Sequence, residues 1–72
     1  MNYLEGIADG LALKVLADPE NLDDNTVVDL IAAAVSSSSA TLQETFLTAV
    51  RIRRAEIRAY AVLDKYNAKQ KS

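Results

Sequence analysis

A chain of 72 residues with neither Cys nor His, half of it apolar and with a formal net charge of −2, makes one small domain without a disulfide and without the usual ligands of zinc, haem or iron–sulfur sites. The modest net charge hides a segregation: residues 1–50 carry eight acids against one base, Lys14, whereas residues 51–72 carry seven bases against Glu56 and Asp64. A chain split from −7 to +5 can fold its basic end onto its acidic end, meet a second copy, or hold the basic face open for an anionic partner.

Twelve of the 36 apolar residues are Ala, which adds little buried area, so stability must come from regular helix packing or from an oligomer. Met1 to Glu5 lacks a basic and an apolar leader region, and the longest apolar run, Leu30 to Val35, is far short of the ~20 residues that span a bilayer. The expectation is a soluble, cytoplasmic protein that does not enter a membrane.

Between Tyr3 and Ala17 the apolar residues Leu4, Ile7, Ala8, Leu11, Ala12 and Val15 recur at the spacing of one helical stripe, which predicts a first helix over residues 3–17. Gly6 and Gly10 lie on its flank with the spacing of a close helix–helix approach. Asp18-Pro19 ends that helix, because the residue before Pro is pushed out of the α region, and Asp18 can cap a short turn over 19–22. Asp18 to Asp29 has the length of a calcium loop, but Leu22 and Asp23 stand where a ligand and a Gly are required, so no metal site is expected.

The next cap lies in Asp24-Asn25-Thr26, where Thr26 and Asp29 have the spacing of a capping box, and a second helix follows over 25–36. Its apolar positions Val27, Val28, Leu30, Ile31, Ala34 and Val35 cover more than half its circumference, which predicts the most buried element. Ser36 to Ser39 reads as a connector, and Thr41 with Glu44 as a second capping box opening a long third helix over 41–68. The fold class is all-α: a three-helix bundle with two shorter helices packed along the long one, forming a single domain over residues 1–72.

In the third helix Leu42, Phe46, Ala49, Val50, Ile52, Ile57, Tyr60, Ala61 and Leu63 share one face. Glu44, Arg51, Arg54, Arg58 and Lys65 share the other. Arg53 and Glu56 stand beside the apolar stripe at pairing distance. Residues 59–63 are apolar all round, and Ala55, Val62 and Tyr66 point away from the main stripe. A helix apolar on every side is covered on every side, so a homodimer is expected through Ala55, Tyr60, Val62 and Tyr66.

The missing His and Cys remove the commonest general bases and nucleophiles, and both glycines lie mid-helix rather than in a phosphate loop. No enzyme activity and no cofactor are expected. The function expected is a non-catalytic protein–protein interaction module, in the style of small bacterial or phage regulatory, inhibitory or assembly proteins. It would offer Arg51, Arg54, Arg58 and Lys65 to an acidic protein surface. The alternative is a nucleic-acid-binding regulator using the same four bases, extended by Lys69 and Lys71, against phosphates.

Overall fold

The structure, a computed structural model, describes the backbone of residues 2–71 and the side chains of residues 2–70. Met1, Ser72 and the Lys71 side chain counted in the basic tail lie outside the described residues. The chain forms helix α1 (Tyr3–Leu16), a 3₁₀ turn (Pro19–Leu22), α2 (Thr26–Ser36) and α3 (Ala40–Lys71). There is no strand among the described residues, and both shorter helices pack against α3.

Each boundary has a local cause. Asn2 caps α1, its Oδ1 accepting the Glu5 N–H at 2.8 Å, which satisfies one of the orphan donors of the first turn. Asp18 accepts the Glu20 N–H at 3.0 Å with Pro19 at the first position of the short turn, as the sequence predicts. Gly6 and Gly10 are exposed with nothing within 4 Å of an added Cβ, so no close approach inside the chain uses them.

The other two caps differ from the sequence expectation. At α2 the cap is an upstream turn rather than a Thr26–Asp29 box: Asp24 Oδ1 accepts both the Thr26 N–H at 2.8 Å and the Thr26 hydroxyl at 2.7 Å. Thr26 already belongs to the helix and its hydroxyl is spent as a donor. At α3 the cap is Ser39, whose Oγ accepts the Leu42 N–H at 3.0 Å. Thr41 lies inside the first turn, where its carbonyl accepts the Thr45 hydroxyl at 2.8 Å. The serine run is thus a helix stop and a helix start in one. The Ser38 and Ser39 N–H groups close the end of α2 on the Val35 carbonyl at 3.1 and 2.9 Å, and Ser39 opens α3.

The core is small. Ala8, Ala12, Val15 and Leu16 of α1, Val28 and Ala32 of α2, and Phe46 and Val50 of α3 are buried, with Leu11, Leu22, Ile31, Leu42, Leu47 and Ala49 packed around them. The 3.6-residue period of α1 places its four on one side. α2 is not the most buried element: it contributes two residues to the core against four from α1, and Leu30 is 66% exposed. One neighbouring helix covers one side of α2, and its remaining apolar residues face outward.

α3 has 32 residues and is therefore about 48 Å long, several turns more than its neighbours can cover. The radius of gyration is 14.6 Å, against about 11 Å for a compact chain of this length. From Ala55 to Gln70 every residue is exposed, so the C-terminal half of α3 projects from the body. Helix nucleation is already complete in the supported half, which is why the projection continues rather than frays at once. The sequence places the end near 68, whereas the helix runs to Lys71, and Lys65 and Lys69 near its C-terminus suit its dipole.

Candidate functional site

The acidic connector and the start of the basic segment meet. Arg54 sits beside the core residue Val50, one turn along α3, and reaches the loop between the 3₁₀ turn and α2. Its Nη1 donates to Asn25 Oδ1 at 2.7 Å, and its Nη2 donates to the backbone carbonyls of Asn21 at 2.8 Å and Asp24 at 3.2 Å. Asn21 in turn donates from Nδ2 to the Val15 carbonyl at 2.9 Å. The end of α1, the connector and α3 are therefore tied through Asn21 and Arg54. One turn further, Arg58 Nη2 lies 3.1 Å from Asp23 Oδ1, an exposed pair of little energetic weight.

On the other side, Arg53 holds α1. Its Nε and Nη2 donate to the two carboxylate oxygens of Asp9 at 2.7 and 2.6 Å, while Nη1 donates to Glu56 Oε1 at 3.0 Å. The fork geometry of guanidinium against carboxylate makes this the strongest polar link between helices. The hydrogen bond from Arg53 lowers the Asp9 pKa from its ordinary 3.8 against an opposing effect of burial, and the Thr26 hydrogen bonds lower that of Asp24.

Groups with depressed folded-state pKa values stabilise the fold fully above the unfolded value and lose that effect as pH falls through the folded value. The urea midpoint should therefore drop as pH falls below about 4, and Asp9→Asn should lower the midpoint at neutral pH while flattening the acid limb. An unchanged acid limb in that variant would show that Asp9 is not linked to folding.

The four bases expected to form one partner-binding row do not share an environment. Arg51 and Lys65 are exposed and make no ion pair or hydrogen bond with the described residues, Arg58 is exposed beside Asp23, and Arg54 is half-buried in the connector network. The four residues expected at an oligomer interface, Ala55, Tyr60, Val62 and Tyr66, are all exposed on the projecting half of α3. Exposed Ile52, Ile57 and Leu63, read from the sequence as part of the core face, join them. The core face runs through Phe46 and Val50 and outlasts the body: Ile52 borders a groove shared with α1, Ile57 stands beside Leu22 of the 3₁₀ turn, and Leu63 lies on the projecting half.

The sequence analysis did not anticipate the Arg53–Asp9 and Arg54–connector links. Spacing shows only that Arg53 can reach Glu56; the partner 44 residues away depends on how α1 crosses α3. Between these helices an open groove of about 640 Å³ is floored by Ala49 and Ile52 and rimmed by Glu5, Asp9, Glu44 and Arg53. Among the described residues no group of three or more acids, Cys or His is placed to hold a metal ion, and no helix is long and apolar enough to cross a membrane.

The fold and its surface define an all-α protein: a short helical body carrying a long, half-naked helix. Comparison with protein-family models, curated proteins and solved structures returns no match.

Proposed function

We propose that this chain is a non-catalytic protein–protein interaction module, a small regulatory, inhibitory or assembly protein of the cytoplasm, acting through the projecting half of α3. One observation carries the reading. The projecting half of α3 exposes Tyr60, Val62, Leu63 and Tyr66 within about two turns, and large apolar side chains gathered on one exposed segment mark an interaction site. Laying an apolar helix face against a complementary surface is a common mode of recognition. Arg51, Arg58 and Lys65 on the flank suit an acidic partner surface, and a location in a reducing compartment agrees with the absence of Cys.

Nucleic-acid binding is the second reading and has weaker support. Arg54 is committed to Asn21, Asp24 and Asn25, and Arg58 stands beside Asp23 in an exposed pair. Phosphates approaching that row would meet the negative field of the connector.

The test pairs co-purification from the native cell with duplex titration. A protein retained by the wild-type chain, lost with Val62→Asp and kept with Leu30→Asp on α2 is the expected result. Equal recovery with Val62→Asp overturns the reading. Duplex affinity that falls steeply between about 50 and about 200 mM salt, and that disappears when the exposed Arg51, Arg58 and Lys65 become Ala, would establish the second reading instead.

A further inference from the structure

With Phe46 pointing into the core and about 100° between residues, Ala55, Ala59, Val62 and Tyr66 fall opposite it on α3, and Ile52, about 120° round from Phe46, continues their line on the flank. Their spacing is three, four, three and four. That is the a/d repeat of a coiled-coil seam, and all five are exposed, Ile52 by 62%, Val62 by 68% and Tyr66 by 59%. The repeat is bounded by Thr48 before it and Lys69 after it. Tyr60 lies off this line. From Ala55 onward every seam residue lies on the exposed half of α3, while at Ile52 the seam borders the groove rimmed by Glu5 and Asp9 of α1.

The chain exposes 5228 Å², whereas a compact monomer of 7.8 kDa exposes about 4,400 Å², so the projecting helix leaves surface open that a compact chain would cover. Ala55 and Ala59 in mid-seam permit helix axes to approach at the short end of the 8–10 Å range.

Charge then selects orientation. The flanking g positions are Arg51, Arg58 and Lys65, and the e positions are Glu56, Leu63 and Gln70. Two copies running antiparallel bring g against g, so that Arg51 meets Lys65 and Arg58 meets Arg58. Two copies running parallel bring g against e of the next heptad, where Arg51 meets Glu56 and the other two bases meet Leu63 and Gln70. Only the parallel pairing avoids opposing cations.

We propose that a second copy of this chain occupies the seam, parallel and in register, as a two-stranded coiled coil over Ile52 to Tyr66. The proposal rests on the interaction-module reading above and names its partner. Association is in the micromolar range, since the seam is about two heptads long and two of its five side chains are Ala.

Light scattering behind a sizing column at concentrations above that range should give twice 7.8 kDa for the wild-type chain. It should give a monomer with native helicity for Ala59→Glu, an exposed substitution that leaves the body untouched. Lys69→Cys should cross-link readily between copies under oxidising conditions, because parallel strands place the two positions side by side, whereas antiparallel strands with Arg58 opposite Arg58 hold them about 33 Å apart. A wild-type monomer, a dimer indifferent to Ala59→Glu, or a dimer that fails to cross-link at residue 69 overturns the proposal. A monomer that still captures a cellular protein through Val62 overturns the second-copy assignment alone. A monomer without such a partner removes the module reading as well.

Discussion

Phe46→Ala should leave most of the population unfolded at physiological temperature. Phe46 and Val50 are the largest fully buried side chains, and Phe46 lies where α1, α2 and α3 share their core. Removing a buried Phe costs about 3–5 kcal/mol, counting lost transfer energy and the cavity left behind. Ala is the better helix former by roughly 0.5 kcal/mol, which offsets little of that. A domain of this length has about 4–11 kcal/mol in total, and the scarcity of other large buried side chains puts this one toward the lower end. Thermal melting followed by far-UV circular dichroism should show no cooperative transition for Phe46→Ala. Phe46→Leu, which preserves more volume, should melt cooperatively at a reduced temperature. A near-native melt for Phe46→Ala would mean that the body is held together elsewhere.

The second large effect is expected at Arg54. Arg54→Ala should destabilise the chain by about 2–3 kcal/mol, a loss in Tm of about 10 °C or more for a domain of this size. The guanidinium makes three hydrogen bonds to the connector, and bonds to a charged group contribute about 1.5–3 kcal/mol each when taken singly. They do not add, because one side chain makes all three and the exposed acceptors at Asp24 and Asn25 regain water when it leaves. Its Nε is buried without an acceptor, which further discounts the gain. Arg54→Lys should recover only a small part, since an ammonium lacks the planar fork that reaches two carbonyls and a side-chain oxygen together. Amide exchange should quicken at residues 20–25 in both variants. Unchanged protection there would show that the connector does not depend on Arg54.

Periodicity accounts for how much of this was legible in advance. The α1 stripe, the Asp18-Pro19 stop and the short turn at Pro19–Leu22 depend on residues within one or two turns of each other, and they are where the spacing predicts. The α2 cap falls inside the expected Asp24-Asn25-Thr26, at Asp24 rather than in a Thr26–Asp29 box, and the α3 cap falls at Ser39, two residues before Thr41. Asp24 and Ser39 offer their side-chain oxygens first, and a helix starts at the earliest cap that geometry accepts. The expected depth of α2 failed for a different reason: an apolar surface is buried only where another element reaches it, and Leu30 has none.

Candidate residues divide along the same line. Exposure of Ala55, Tyr60, Val62 and Tyr66 follows from a helix longer than its neighbours, which length alone foreshadows. The fate of Arg54 does not follow from the helical wheel, where it groups with Arg51 and Arg58. Only the passage of the connector across α3 distinguishes it from them.

Local pattern, then, was enough for three helices, their order and the amphipathic character of the last, because those depend on forces acting within a few residues. Which arginines are tied down, which apolar side chains stay in water and where the charge of the two halves meets depend on contacts between residues far apart in the chain. Asp9 and Arg53, 44 positions from each other, acquire a relation only when α1 is laid across α3.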